Sequence, residues 1–194
     1  HLRDDCVRIG LGQRPSLEIQ AAAGLLPSDA WKRRHWGDGW RTGDTANLSI
    51  GQGFLSVTPL QMAVMTAALG NGGTVLRPRL VRSPDPGGDP AVARMGWSAA
   101  ALRVVRQGLY DVVQSEAGSG RKARIAACAL GGKTGTAEYY DGGERRKHAW
   151  MVAYGPFEEP RYAMAVVVEN SDSGGHSSAP IVHRVFSAIF GSAP

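Results

Sequence analysis

The chain contains the run Gly131-Gly132-Lys133-Thr134-Gly135-Thr136-Ala137-Glu138-Tyr139-Tyr140, in which a glycine pair precedes threonines and aromatic residues. This order predicts a β-strand that begins after a glycine turn. The run also brings together an amine, two hydroxyls and a glycine at which a ligand can approach the backbone. Such groups suit an anionic, peptide-like ligand. The strand therefore carries a candidate binding site at Lys133, Thr134, Gly135 and Thr136.

Two more strands are predicted downstream of this one. The first strand is predicted at 132–140, and the others at 148–154 and 161–169. The connections between them are short, namely Asp141-Gly142-Gly143 and residues 156–160. Because strands joined by short turns pair in an antiparallel way, the sequence predicts a three-stranded antiparallel meander.

A last helix is predicted after the meander. Ser178 and Pro180 suit the start of a helix, and apolar residues recur beyond them at helical spacing. The residues expected to pack on the meander are Ile181, Val182, Val185, Ile189 and Phe190.

Two helices are predicted upstream of the meander. Thr58 is a good N-cap and Pro59 suits the first helical position, so one helix should begin there and end at the glycines of 70–73. Ser98 is the predicted cap of the other. Its expected apolar face comprises Leu102, Val105, Leu109, Val112 and Val113. Between the helices, 74–81 predicts a strand and the proline- and glycine-rich segment 83–90 predicts a loop.

Three regions are expected along the chain. Residues 1–56 are rich in Gly, Pro, Arg and Trp without a sustained period, and we expect irregular structure there. Residues 57–117 hold the upstream helices and strand, and 118–194 hold the meander and last helix. With 43% hydrophobic residues, the 194-residue chain can form one good-sized core. The start at His1 instead of Met suggests a cut end.

Charge and composition disfavour several classes of protein. The net charge of +5 arises from 22 Lys and Arg against 17 Asp and Glu, but the basic residues are scattered, so we expect no nucleic-acid binding. Attraction to an anionic surface or polymer stays open. Cys6 and Cys128 lack the spacing of a zinc site or a CxxC motif. The longest apolar runs fall far short of the roughly 20 residues of a membrane span.

The histidines and the glycine-lysine-threonine string invite two further interpretations. His176, His183 and Asp172 match no known metal-ligand motif, and we expect neither a metal nor a cofactor. Gly132-Lys133-Thr134 matches the last three residues of a phosphate-binding P-loop, but that motif needs a glycine at position 127, where this chain has alanine. A nucleotide site is therefore rejected.

The string does match the K-T-G signature of the penicillin-binding serine acyl-transferases, whose other signatures are S-x-x-K and S-x-N. Further blocks agree in order: Trp31-Lys32, Trp40, Gly43-Asp44-Thr45, Ser49-Ile50-Gly51-Gln52-Gly53, Val57-Thr58-Pro59-Leu60-Gln61-Met62-Ala63, His148-Ala149-Trp150 and Val167-Val168-Glu169-Asn170. From about residue 9 to its end, the chain resembles the C-terminal part of the transpeptidase domain of class B, elongation-type penicillin-binding proteins.

The resemblance implies a fold and roles for the site residues. The implied fold is α/β (α+β), the transpeptidase fold shared with serine β-lactamases, an antiparallel sheet with helices on its faces. Lys133 would set the electrostatics of the site and hydrogen-bond across it. The hydroxyls of Thr134 and Thr136, with Gly135 between them, would hold the terminal carboxylate of a D-Ala-D-Ala stem peptide or a β-lactam. The Thr136 N–H would be one of two oxyanion-hole donors.

Two signatures of the family are not present in usable form. No S-x-N occurs in the chain, and the only S-x-x-K is Ser119-Gly120-Arg121-Lys122, in a glycine-rich break that we interpret as a loop. We therefore expect the chain alone to be inactive, with the nucleophile in the missing N-terminal part of the same protein. In an isolated fragment the edge of the last strand, with Val166 and Val168, would be open, so we expect a second polypeptide or a cleaved, still-bound partner segment to cover it.

Three polar or aromatic residues near these blocks are expected to be structural. Gln52, between two glycines, is predicted to shape a turn. His148 is predicted to be a satisfied structural histidine, and Trp150 is predicted to contribute packing.

The resemblance also implies a biological setting. It predicts a peptidoglycan D,D-transpeptidase of cell-wall synthesis at the periplasmic face of the bacterial inner membrane, with its anchor outside this chain. The implied partners are stem peptides, β-lactams, and cell-elongation glycosyltransferase and scaffold proteins. Two alternatives remain open. One is a non-catalytic ligand-binding or scaffold module, and the other is a D,D-carboxypeptidase or β-lactamase relative, against which the block at 43–63 argues.

Overall fold

The computed structural model describes residues 2–81 and 91–191. Within these ranges the helices are α1 (Leu2–Arg8), α2 (Asp29–Trp36), α3 (Thr42–Ser49), α4 (Pro59–Gly70), α5 (Ala99–Gln114) and α6 (Ala179–Phe190). The strands are β1 (Thr74–Leu76), β2 (Ala91–Arg94), β3 (Gly131–Asp141), β4 (Glu144–Gly155) and β5 (Tyr162–Val168). A 3-10 helix spans Arg121–Ala123 and a π-helix spans Gly174–Ser178. His1 and the loop predicted at 83–90 lie outside the described residues.

The predicted meander is confirmed as the sheet β3-β4-β5, in which both pairings are antiparallel. Gly142 and Gly143 join β3 to β4 with φ angles of 59° and 86°. Two left-handed residues in a row suit a tight hairpin turn whose twist matches that of the strands. The glycines thereby support the register in which Gly135 lies opposite Trp150.

The sheet divides the core into two clusters because the side chains of β4 alternate between its faces. On one face, Ala149, Met151 and Ala153 are fully buried on the side where α6 packs. On the other face, Tyr154 is fully buried in a second cluster with residues of α4 and α5. Both clusters contain residues of β4, the strand that pairs with β3. The candidate site on β3 is therefore held between two packed layers.

The two predicted upstream helices are confirmed as α4 and α5. They begin at the predicted caps Thr58 and Ser98, whose hydroxyls accept hydrogen bonds from backbone amides three residues further on. On α5, the buried residues are Leu102, Leu109 and Val113. Val105, predicted on the same face, is 38% exposed because it lies at the margin of that face.

Helix α6 packs on the meander with one face only. Val182 and Phe186 are buried, and Phe190 packs against the same cluster. The other three predicted residues are only partly covered, since Ile181, Val185 and Ile189 are 39%, 38% and 42% exposed. Their spacing of four residues places these three side chains on a second face of the helix, which we call the α6 stripe.

In the part of the chain that the structure describes, the edge of β5 is open as predicted, but its valine side chains are less exposed than predicted. Within the described residues, β5 pairs with β4 on one side and has no strand partner on the other. Val166 and Val168 are nevertheless half-buried, and Val166 packs against the α6 cluster. Side chains of a strand point to the faces of a sheet, so what stays open at this edge is the backbone.

The prediction of irregular structure at 1–56 is wrong in part, because α1, α2 and α3 lie there. Each has only seven or eight residues, too few for an apolar period to show in the sequence. Helix α2 is instead defined by its ends. Ser28 Oγ accepts a hydrogen bond of 3.1 Å from the Trp31 amide, and Gly37 ends the helix with a φ of 66°.

The strand predicted at 74–81 ends at Leu76, five residues early. Pro78 cannot continue a hydrogen-bonded ladder, which explains the early end. Strand β1 pairs with β2, a strand that the sequence did not predict. Two of the four residues of β2 are alanines, which have low β-propensity.

A buried ion pair joins α2 to α3. Lys32 Nζ lies 2.6 Å from Asp44 Oδ2, and these side chains are only 8% and 14% exposed. Asp44 Oδ2 also accepts a hydrogen bond of 2.7 Å from the Arg41 amide. Alongside, Trp40 Nε1 donates to Thr45 Oγ1 at 2.8 Å. The Trp-Lys, Trp and Gly-Asp-Thr blocks of the sequence are thus one interlocked structural unit.

Gln61 ties the N-terminal segments to α4. Its side chain is 2% exposed, and Nε2 lies within 2.9–3.1 Å of the carbonyl oxygens of Gly10, Gln13 and Ala23. Its Oε1 accepts from the Thr58 amide at 2.9 Å, which completes a capping box. One glutamine therefore fixes both the start of α4 and the path of the loop that crosses it.

Candidate active site

Strand β3 presents the candidate residues in two directions. Cross-strand partners share a face of the sheet; Lys133 is opposite Val152, whereas Thr134 is opposite Met151 and Thr136 is opposite Ala149. The Lys133 side chain therefore points to the α4 side, and the two threonines point to the α6 side. A single strand thus serves two cavities.

The cavity on the threonine side is a polar cleft of about 450 Å³. We call this cavity the polar cleft. Its lining residues are Gly118, Ser119, Arg121, Lys122, Thr134, Gly135, Thr136, Ser173, Gly174, Gly175 and His176. Four hydroxyl groups and two cationic side chains are present, and none of these described lining residues is acidic. A cleft of this composition favours an anionic ligand.

Ser119 lies within the cleft, beside the β3 threonines. Its Oγ is 2.7 Å from Thr134 Oγ1, although the sequence predicted only a loop residue. Lys122, the lysine of the same S-x-x-K match, lies on the 3-10 helix, and its Nζ is 3.2 Å from His176 Nδ1. Because an S-x-x-K nucleophile needs its own lysine as activating base, this arrangement disfavours Ser119 as a nucleophile.

Two glycines bring the π-helix against β3. A Cβ on Gly174 would lie 1.9 Å from the Trp150 carbonyl oxygen and 2.8 Å from that of Gly135. A Cβ on Gly175 would lie 2.4 Å from the Ser119 carbonyl oxygen. Only residues without a side chain permit this approach, and the approach is what places His176 in the cleft.

The cavity on the lysine side measures about 490 Å³, and its lining is more apolar than that of the polar cleft. Lys133 lines it, and its Nζ donates to the Thr134 carbonyl oxygen at 2.6 Å. The surrounding apolar side chains include Leu55, Val57, Met62, Met65, Leu69, Leu109, Trp150 and Val152. We call this space the apolar cavity. Thr134, Gly135 and Thr136 border both cavities, so the free edge of β3 runs between them.

Gln52 contacts the candidate binding segment, a contact that sequence reasoning missed. Gly51 and Gly53 have φ angles of 74° and 77°, so the predicted turn is present. The side chain, however, reaches β3, where Nε2 donates to the Thr136 carbonyl oxygen at 2.9 Å and Oε1 accepts from the Glu138 amide at 3.4 Å. A residue between two glycines carries no sequence signal of a contact 84 positions away.

The backbone of Thr136 points to the free edge of β3. Its carbonyl accepts from Gln52, which lies on the side of β3 away from β4. In a strand, the N–H and C=O of one residue point to the same edge. The Thr136 N–H therefore also faces the free edge, where it is available to a ligand.

His148 borders the apolar cavity instead of the polar cleft. Its ring stacks on Tyr139 with centroids 4.3 Å apart, and Tyr139 Oη donates to Asn170 Oδ1 at 2.7 Å. Among the described residues, the buried Nδ1 atom of His148 has no hydrogen-bond partner, so the prediction of a satisfied structural histidine is wrong for this atom.

Charged groups are arranged at the hairpin end of β3. Arg145 forms an ion pair with Glu138, and this hydrogen bond lowers the pKa of the Glu138 carboxyl below its usual range. Glu138 therefore stays ionised and paired beyond the end of the candidate binding segment. In the described ranges, no group of three or more His, Cys, Asp or Glu side chains is placed to hold a metal ion.

The sequence matches a known family along most of its length. Residues 1–187 match the family described as penicillin binding protein transpeptidase domain. The chain is 33% identical over 197 residues to the peptidoglycan D,D-transpeptidase MrdA of Haemophilus influenzae. That alignment covers 91% of this chain and 30% of the relative, so the chain spans under a third of the relative's length.

Solved structures give the same result for the fold. Pseudomonas aeruginosa PBP2 in complex with WCK 5153 is similar with a TM-score of 0.84 and 35% identity, over 96% of this chain and 43% of that one. The PBP2 of Helicobacter pylori in complex with MreC gives a TM-score of 0.78 and 27% identity, over 96% of this chain and 35% of that one. The predicted α/β transpeptidase fold is thereby confirmed.

Proposed function

Because this chain belongs to the penicillin-binding protein transpeptidase domain family, we propose that its protein is a peptidoglycan D,D-transpeptidase and that this chain supplies the substrate-carboxylate wall. One observation carries the proposal. Thr134 and Thr136 present their hydroxyls to the polar cleft from a strand whose free edge also exposes the Thr136 N–H. Carboxylate donors and an amide donor thus lie on one short segment.

The proposed reaction has two steps. A serine outside this chain attacks the carbonyl of the penultimate D-Ala, and the terminal D-Ala leaves with a proton on its amine. An amine of a neighbouring stem peptide then attacks the acyl-serine ester. The amide cross-link forms, the ester bond breaks, and the proton that the amine loses goes to the serine oxygen. The roles of this chain are to bind the terminal carboxylate through Thr134 and Thr136 and to stabilise the oxyanion through the Thr136 N–H. A donor of that kind contributes about 3–4 kcal/mol to the transition state.

The position of Lys133 supports a nucleophile on the α4 side of the sheet. The Lys133 side chain points into the apolar cavity, which its apolar lining makes suitable for a packed segment of protein. We propose that the upstream segment with the S-x-x-K serine occupies this cavity, where Lys133 adds positive charge to the site. The S-x-N segment would complete the wall opposite β3.

Two further surfaces support an upstream partner segment. The edge of β5 has no strand partner within the described ranges, and the α6 stripe leaves three apolar side chains about 40% exposed. An unpaired edge beside an apolar helix face is suited to strand addition with packing. We propose that the upstream part of the same protein covers both.

The proposed setting follows from the same family. We propose an extracytoplasmic site of action, on peptidoglycan, with a cell-elongation glycosyltransferase and scaffold proteins as partners; the Helicobacter pylori structure that contains MreC is one example of such an assembly. Within the described residues, no helix has the length and apolar character needed to cross a membrane.

The proposal is tested by peptide turnover with the full-length protein. A stem pentapeptide ending in D-Ala-D-Ala is incubated with an amine acceptor, and released D-Ala and cross-linked product are measured. We expect both products, inhibition by penicillin, and a roughly ten- to hundredfold loss of turnover in Thr136→Val, the range for a hydrogen bond to a charged group. Release of D-Ala without cross-linked product would indicate a carboxypeptidase. Peptide binding without D-Ala release would indicate a non-catalytic module.

A further inference from the structure

The polar cleft contains a cationic pair that the K-T-G string does not supply. Lys122 Nζ lies 3.2 Å from His176 Nδ1, across 54 positions of sequence. An ammonium group has donors only, so the histidine nitrogen is the acceptor of this hydrogen bond. The bond uses one of the three ammonium donors of Lys122.

The pair is held by two independent elements. Lys122 belongs to the 3-10 helix that follows Ser119, and His176 belongs to the π-helix. The close approach of Gly174 and Gly175 to β3 and to Ser119 fixes the distance between these elements. The position of the Lys122 ammonium is therefore set by backbone packing as well as by its own side chain.

The signature lysine does not serve this cleft. Lys133 points to the opposite side of the sheet, and its Nζ is bonded to the Thr134 carbonyl oxygen at 2.6 Å. The other cation of the cleft, Arg121, donates from Nη1 to the Glu116 carbonyl oxygen at 3.0 Å. Lys122 lines the cleft and keeps two ammonium donors beside its contact with His176, so it can supply the counter-charge to a carboxylate that two neutral hydroxyls hold.

We propose that Lys122, positioned by His176, is the counter-ion of the carboxylate that Thr134 and Thr136 bind, a specificity-determining contact that rests on the proposed function. The ligand class is a peptide or β-lactam with a free carboxylate next to the scissile amide. Charge-assisted hydrogen bonds are about twice as strong as neutral ones. Lys122 thus makes the site select the ionised carboxylate over a neutral group of similar shape.

The test uses the full-length protein and two matched β-lactams, a penicillin with its carboxylate free and the same penicillin as its methyl ester. Acylation rates are measured for each, and their ratio gives the carboxylate preference. We expect Lys122→Gln to lower this ratio ten- to hundredfold with little change for the ester. Lys122→Arg should keep the ratio within about threefold of the wild-type value. His176→Ala should lower the ratio, but by less than Lys122→Gln does.

The control removes the same charge elsewhere. Arg103 is exposed on α5, outside the polar cleft, and Arg103→Gln should leave the ratio unchanged. An unchanged ratio in Lys122→Gln, or an equal fall in Arg103→Gln, would overturn the inference. Failure of the wild-type protein to be acylated by the free acid would instead overturn the proposed function, and the inference with it.

Discussion

Gln52 Nε2 donates a hydrogen bond of 2.9 Å to the Thr136 carbonyl oxygen, and the same side chain accepts one from the Glu138 amide. The amide thus occupies the free edge of β3 in the manner of a peptide group from a neighbouring strand. A bound peptide that added to this edge would meet Gln52 just beyond Thr136. The glutamine thus supports the proposed binding segment and lies at its end.

Loss of this support should weaken the site without unfolding the protein. We expect Gln52→Ala to lower the penicillin acylation rate of the full-length protein about three- to tenfold, since two neutral hydrogen bonds are removed. Amide hydrogen exchange at Glu138 should rise. Gln13 provides the control, because its Nε2 donates to the Val7 carbonyl oxygen and it lines neither cavity beside β3. An equal effect of Gln13→Ala would argue against a local role of Gln52.

Gln61 should be a centre of stability. Replacement by leucine keeps the volume but leaves the carbonyl oxygens of Gly10, Gln13 and Ala23 without this donor. We expect a loss of about 2–4 kcal/mol in the free energy of unfolding, measured by urea denaturation. The exposed Gln107→Leu on α5 should change it by less than about 0.5 kcal/mol. Similar values for the two variants would contradict the structural role of Gln61.

The Lys32–Asp44 pair should make stability depend on acid pH. The hydrogen bond from Lys32 is the main cause that lowers the pKa of the Asp44 carboxyl. A lowered pKa in the folded state means that the pair stabilises the fold above the ordinary aspartate value of about 3.9 and that this contribution is lost as the pH falls through the folded pKa.

Thermal unfolding across pH 2 to 6 measures this effect. Between pH 5 and pH 2, the wild-type midpoint should fall further than that of Asp44→Asn, which has no carboxylate to protonate. Asp172→Asn, at an exposed position, should follow the wild-type curve. Parallel curves for wild type and Asp44→Asn would show that the ion pair contributes nothing to acid stability.

Gly174 should not tolerate a side chain. Alanine there would place Cβ 1.9 Å from the Trp150 carbonyl oxygen, so β3, β4 or the π-helix must shift. We expect Gly174→Ala to cost about 1–3 kcal/mol or more in unfolding free energy and to lower acylation. A Cβ added to Gly108 in α5 would meet nothing within 4 Å in the described part of the chain outside its own helix backbone and chain neighbours. Gly108→Ala should therefore raise the unfolding free energy by about 0.5–1 kcal/mol. Comparable costs at both glycines would contradict the close approach.

The helices and strands that begin or end at a recognisable cap or turn could be predicted from the sequence. Thr58 and Ser98 marked two helix starts, and the Gly142-Gly143 turn marked the hairpin. Helices α1 to α3 were missed because seven or eight residues carry too little periodicity. Strand β2 was missed because only pairing with β1 defines it.

The candidate site was predicted only where it lies in one segment. Thr134, Gly135 and Thr136 are in sequence and remain together in the cleft. Ser119, Lys122, His176 and Gln52 come from other segments, and glycine contacts and strand register bring them in. The opposite directions of Lys133 and Thr134 follow from strand alternation, but the cavity that each side chain meets depends on α4, α5 and α6.

The most direct test is to map the acylated residue. Full-length protein is treated with penicillin, and the adduct is located by intact-mass and peptide mass spectrometry. We expect one adduct, on a serine upstream of this chain. Ser119→Ala should leave its position unchanged, and Thr136→Val should slow its formation. An adduct on Ser119, or no adduct on a folded full-length protein, would contradict this expectation.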